Sequence, residues 1–140
     1  MKILLAVDGS AYTLRALEYI ASSAELFGPR HAYEGLTVVA PIPAHAARFL
    51  DRGVLEDHYR DEAEKVLAPM REFGQQHGLT IATHHAAGQA AQAIAAFAER
   101  EKIDLIVMGS HGHSALTNVV LGSVATGVLA HCKVPVVIVR

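Results

Sequence analysis

The sequence predicts an α/β protein built on a single five-stranded parallel sheet with helices on both faces. Three observations lead there. Short continuous apolar runs alternate with longer stretches of helical periodicity along the chain. The runs, such as Ile3 to Val7, show no apolar/polar alternation, as expected of strands covered on both faces. The length of 140 residues, 51% of them hydrophobic, suits one domain over residues 1–140 with a sizeable core.

Taken in order, Ile3 to Val7 form the first strand, which ends at Asp8-Gly9-Ser10, where Asp8 or Ser10 caps the first helix. That helix spans Ala11 to Phe27 through Leu14, Leu17, Ile20, Ala21, Ala24 and Phe27, and Gly28-Pro29 stops it. Leu36 to Ala40 is the second strand, closed by Pro41-Ile42-Pro43. Ala44 to Gly53 has no firm period and reads as a loop or a short helical turn. Helical spacing resumes from Leu55 to His77, and Pro69 inside it predicts a kink or break. Glu56 with Arg60 and Asp61 with Lys65, each at i,i+4, mark a solvated face. Such pairs contribute about a few tenths of a kcal/mol and argue against catalytic carboxylates there. After Gly78, Leu79 to His84 is the third strand. Gly88 then precedes a helix from Gln89 to Lys102, with Ala90, Ile94, Phe97 and Ala98 facing inward. Leu105 to Met108 is the fourth strand. Beyond Gly122-Ser123 a helix carries Val124, Val128, Leu129 and Cys132 on one side, and Val134 to Val139 is the fifth strand.

Composition narrows the partners. A net charge of -2 gives no support for binding nucleic acid or an acidic membrane surface. No apolar run is long enough to cross a bilayer or to act as a signal peptide's core, so a cytoplasmic location is expected. Cys132 is the sole cysteine, which rules out an intrachain disulfide. At the end of the last helix the dipole disfavours a thiolate, so Cys132 is expected to pack as a small apolar side chain.

The functional signal lies between Met108 and Ala125, MGSHGHSALTNVVLGSVA. Gly109, Gly112, Gly122 and Ser123 stand at fixed offsets between a strand and a helix. Glycine there lets the backbone take φ > 0 and lets a ligand approach bare N–H groups. The helix start just downstream adds unpaired donors and partial positive charge, so the stretch reads as a phosphate cradle. Open parallel sheets bind ligands beyond the carboxyl ends of their strands, where strand order reverses. Asp8 and Gly109 both leave at that edge, and they flank the crevice if the first and fourth strands are neighbours.

Gly109-x2-Gly112-x9-Gly122-Ser123, together with Ala6-Val7-Asp8-Gly9-Ser10 and the Val134-Pro135-Val136 opening of the last strand, resembles the universal stress protein family in its nucleotide-binding branch. The likeness covers the whole chain. It implies strand order 3-2-1-4-5, a Rossmann-like fold of the adenine nucleotide alpha hydrolase-like type, and binding of ATP (or AMP) without a Walker loop. No G-x-x-x-x-G-K-[ST] occurs, and the cradle holds no Lys or Arg. Carried over by resemblance, Gly109 and Gly112 lie under the phosphates and ribose, and Gly122 and Ser123 hold the terminal phosphates. Asp8 faces the ribose and any phosphate-bound Mg²⁺, while Ala6 and Val38 border the adenine. Met108, His111 and Val124 complete the nucleotide-binding set. One departure stands at Ala40-Pro41-Ile42-Pro43, where many members have a His-Val pair.

An edge strand at 134–139 would leave an apolar row of backbone groups open, and pairing with its own copy about a two-fold axis closes it, so a homodimer is expected. The family likeness points the same way, and implies a nucleotide-dependent regulatory role in a stress response, with a further protein partner left open. The alternative is a dimeric interaction module of the same fold that works without nucleotide.

Other chemistries find less support. Among the nine histidines, His84 and His85 are adjacent on a strand and point to opposite faces, while His111 and His113 have no Cys or carboxylate nearby in sequence. His111 reads instead as a loop side chain beside the phosphates, its charge following occupancy. Gly109-Ser110-His111-Gly112 lacks the spacing of a hydrolase nucleophile elbow, and nothing like the His-x-Gly-His signature of nucleotidyl transferases follows the first strand. With no general base or cationic finger, no catalytic residue is assigned; the ceiling is slow ATPase activity or phosphate transfer to Ser123 or Ser110.

Overall fold

In a computed structural model, which describes residues 1–114 and 118–140, the apolar runs become the strands of one parallel sheet. In chain order the elements are β1 (Lys2–Ala6), α1 (Ala11–Ser22), β2 (Ala32–Val39), α2 (Ala44–Ala47), α3 (Arg52–Gln76), β3 (Ile81–Ala87), α4 (Ala90–Arg100), β4 (Leu105–Gly109), α5 (Ser123–His131) and β5 (Val136–Val139). The sheet order is β3-β2-β1-β4-β5, with every pairing parallel. The expected architecture and order are therefore present.

Side chains alternate across a strand, so β1 feeds two cores. Ile3, Leu5 and Val7 pack with Leu17 and Ile20 of α1 and with Leu67 and Met70 of α3. Leu4 joins Leu36, Ile106 and Met108, beneath Ile94 and Phe97 of α4 and Val128 of α5. Each such side chain, when fully buried, contributes about 1.5–3 kcal/mol. Two helices thus cover each face.

Several boundaries differ from the sequence reading. Helix α1 ends at Ser22 rather than Phe27; turns built on Ser23 O then bring Phe27 to 5% exposure beside Tyr19. Strand β2 begins four residues earlier than expected, because Tyr33-Glu34-Gly35 interrupts the apolar run yet is strand. Tyr33 is buried, its phenol donating to Gly28 O at 3.1 Å, and burial pushes its pKa up. Glu34 is held by Lys2 and His84. Gly35 leaves room for Met70 from α3, since an added Cβ would overlap its Cε and push the end of that side chain aside.

Residues 44–53 form the one-turn α2 and the start of α3. No break occurs at Pro69, which is exposed, as is Lys65, so the carbonyl four residues back that lost its partner faces water. The expected Glu56–Arg60 and Asp61–Lys65 pairs are replaced. Glu56 pairs with Arg52, Arg60 with Asp57, and Lys65 with Glu62, while Glu64 reaches Arg71. Strand β3 is shifted two to three residues later than expected, and β5 is shorter, starting at Val136. Helix α5 turns Ala125 and Val128 inward with Val124 and Cys132 partly covered, whereas Leu129 stays 50% exposed instead of sharing the buried side. Among the described residues, no helix is long and apolar enough to cross a membrane.

Candidate functional site

Strands β1 and β4 are neighbours, with Ala6 opposite Met108. From there the chain turns to opposite faces, into α1 on one side and α5 on the other. That divergence is the place where an open sheet forms a crevice.

The turn after β1 closes on itself. Asp8 Oδ1 accepts from Ser10 N at 2.9 Å and from the Thr13 hydroxyl at 3.0 Å. Thr13 Oγ1 accepts in turn from the amides of Asp8 at 3.0 Å and Gly9 at 3.2 Å. Gly9 has φ +77°, a conformation few other residues adopt. Ser10 occupies the N-cap, but neither it nor Asp8 caps the helix as expected. Its buried hydroxyl has no partner among the described residues, and the closing role falls to Thr13 reaching back from the first turn.

The loop after β4 is tied at its neck. Ser110 N donates to Val139 O, and Gly122 N donates to Ser110 O, each at 2.7 Å. His111 Nε2 donates to Val119 O at 2.7 Å, and Nδ1 lies 2.9 Å from the Ser110 hydroxyl. The ring sits 5.2 Å from that of Tyr12, whose other neighbour is the Arg15 guanidinium. His113 Nε2 donates to Asp8 O at 2.7 Å, bridging the two turns. The first backbone bond of α5 runs from Thr126 N to Gly122 O. The amides of Ser123, Val124 and Ala125 therefore have no partner among the described residues, as at any helix start.

The reason for the cradle glycines differs from the expected one. Gly109, Gly112 and Gly122 do not have positive φ. They are glycine because of what crowds them. An added Cβ would lie 2.5 Å from Tyr12 Cβ at Gly109, 2.6 Å from Asp8 Oδ2 at Gly112, and 3.0 Å from Ser110 O at Gly122. The Gly122 amide is committed to Ser110 O, and His111 is turned into the loop's neck rather than standing free beside a ligand.

Between the two turns lies a cleft of about 400 Å³. Its lining includes every residue expected of the site: Ala6, Asp8, Val38, Met108, Gly109, His111, Gly112, Gly122, Ser123 and Val124. Thr13, Ala90, Ile94 and His113, which the motif does not single out for the site, join them, as does Ser110, expected only as a phosphate acceptor. Ala6, Val38, Ile94 and Met108 form an apolar wall, and the tip of α5 stands at the polar end. Among the described lining residues Asp8 is the only carboxylate, and none is Lys or Arg. Ser110 is 2% exposed, leaving Ser123 as the accessible hydroxyl at the tip. His84 and His85 lie elsewhere and on opposite faces, His84 against Glu34 and Phe97, and His85 on the side of Glu64. Among the described residues no three potential metal ligands cluster.

Sheet order and cleft position define a doubly wound, Rossmann-like α/β protein. Residues 1–140 match the model of the universal stress protein family. The chain belongs to that family.

A universal stress protein of Thermus aquaticus is 35% identical over 145 residues, covering 99% of this chain and 97% of that protein. YxiE of Bacillus subtilis is 31% identical over 150 residues, covering 99% and 98%. The chain covers only 42% of the longer Synechocystis member Slr1230, at 28% identity. Among solved structures, UspA from Lactobacillus plantarum superposes with a TM-score of 0.79 at 24% identity, over 100% of this chain and 97% of that one. An Archaeoglobus fulgidus family member in complex with dAMP gives 0.67 at 23%, over 100% and 98%. An Arabidopsis thaliana member with AMP bound gives 0.70 at 16%, over 99% and 90%.

Proposed function

We propose that the cleft binds an adenine nucleotide, ATP or AMP, and that occupancy serves as the signal of a stress-response regulator. The observation that carries this reading is that an apolar slot and three helix amides without a partner among the described residues share one cleft. The slot of Ala6, Val38, Ile94 and Met108 suits a flat base. The amides of Ser123, Val124 and Ala125, with the Ser123 hydroxyl, suit a phosphate, aided by about half a unit of positive charge at the helix tip. Asp8 Oδ2 faces the loop at Gly112, placed for a ribose hydroxyl or for Mg²⁺ arriving with the phosphates of ATP. The A. fulgidus and A. thaliana structures, which hold dAMP and AMP, support the same ligand class.

The described lining offers no cation and no placed general base, so hydrolysis should be slow or absent. We further propose a cytoplasmic homodimer joined through 134–139, because β5 is an edge strand whose residues are all partly exposed and apolar. The test is calorimetric titration with AMP and with ATP, with and without Mg²⁺, alongside chromatography of nucleotide released on denaturing the purified protein. Saturable binding of one of them is expected. No binding and no released nucleotide would leave the second reading, a dimeric module that works without nucleotide, which the committed Gly122 amide and the missing cation favour. A monomer in gel filtration would remove the dimer from either reading.

A further inference from the structure

We infer that His111 is the positioning residue of the cleft, closing the neck of the β4–α5 loop and so fixing where the first amides of α5 point. Its effect on affinity rests on the nucleotide reading, but its effect on the loop does not. Helix α5 has nine residues and buries only Ala125 and Val128. An isolated helix shorter than about 12 residues is marginal, so its first turn depends on what holds it, the apolar packing of Ala125 and Val124 on one side and the loop's neck on the other.

The polar part of that hold is the neck. Ser110 is anchored to the sheet by its amide on Val139 O, and its carbonyl receives the Gly122 amide. His111 adds the second tie. Its Nε2 must carry a proton, because Val119 O only accepts, and in the neutral ring Nδ1 then accepts from the Ser110 hydroxyl. Both ring nitrogens are thus used, one on each side of the neck, and the Tyr12 ring lies beside it at 5.2 Å, tilted by 43°. Gly122 completes the closure, since any Cβ there would lie 3.1 Å from His111 Cα. No other common side chain offers a planar donor and acceptor at these two positions, though the Gln amide supplies a donor for Val119 O.

The experiment compares wild type, His111→Phe and His111→Gln by amide hydrogen exchange without ligand and by AMP titration. H111F keeps a ring against Tyr12 and loses both polar bonds. It is expected to speed exchange at the Gly122 amide about tenfold and weaken AMP about tenfold, the scale of one to two hydrogen bonds. The Ile106 amide, bonded to Pro135 O, serves as the unaffected control. H111Q should restore both readouts to within about threefold of wild type. Wild-type protection of Gly122 in H111F, or failure of H111Q to rescue, overturns the assignment. If H111F does not fold, Ser110→Ala removes only the Nδ1 partner and must still speed exchange at Gly122 and not at Ile106, or the assignment falls. If wild type takes no AMP, the titration is run with ATP, and if it takes neither, the nucleotide reading fails and the exchange data alone decide the role of His111.

Discussion

The two turns that flank the cleft leave neighbouring strands at the same edge, yet they treat their polar groups in opposite ways. After β1, the Asp8 amide, the Gly9 amide, Asp8 Oδ1 and the Thr13 hydroxyl satisfy one another within six residues, while the buried Ser10 hydroxyl is left without a partner among the described residues. After β4, the neck bonds are closed but the amides of Ser123, Val124 and Ala125 are left open beyond it. A turn that completes its own hydrogen bonds contributes stability, whereas one that leaves donors aimed into a cleft contributes affinity. Substitutions in the two should therefore separate along those lines.

The largest effect is expected where the turns touch. Gly109→Ala places a Cβ 2.5 Å from Tyr12 Cβ and 3.1 Å from Tyr12 backbone atoms, so α1 must move. Urea denaturation should show a loss of about 3 kcal/mol; a loss below about 1 kcal/mol would mean the spacing between the turns is soft. Next is Thr13→Val, which keeps shape and removes three hydrogen bonds, two accepted amides and one donation to Asp8. It should cost about 2 kcal/mol by the same measurement, and an unchanged midpoint would erase the contrast between the turns.

On the other turn, Ser123→Ala should weaken AMP about fivefold while shifting stability by less than about 0.5 kcal/mol, read by titration and denaturation together. Equal losses in both would show that the β4 loop is as structural as its partner. The smallest effect belongs to a pair remote from either turn. A hydrogen bond from Arg71 holds the Glu64 carboxyl below its ordinary range. A depressed carboxyl stabilises the fold above its unfolded pKa, and that contribution is lost as pH falls through the folded one. Arg71→Met should thus cost at most about 0.5 kcal/mol at pH 7, because the pair is largely exposed, and the Glu64 share of that cost should shrink as pH falls below the ordinary carboxylate range, leaving the bond to Thr83 Oγ1.

Strand order, and the gathering around one cleft of the ten residues expected to bind nucleotide, were legible because they rest on features that sequence displays well: unbroken apolar runs and glycines at fixed offsets. The reasons behind the glycines were not. Spacing shows where a side chain is missing, but only coordinates reveal that Tyr12, Asp8 and Ser110 occupy the room. Thr13 was missed because a threonine in a first helical turn looks ordinary. Its one signal is its place three residues after Ser10, where a capping box would put a side chain that reaches back. The start of β2 was obscured by Glu34 and Gly35, residue types that usually mark surface and turn. Ala90 and Ile94 read correctly as a helix's inner face, but nothing local says that one end of that face borders an opening. The ion pairs on α3 were mispaired because several partners at i±3 and i±4 compete, and periodicity does not choose among them.

Met70 and Gly35 belong to different elements, yet they share a single volume. Enlarging position 35 would require the end of Met70 to swing away or position 70 to shorten, so changes at the two sites should be coupled.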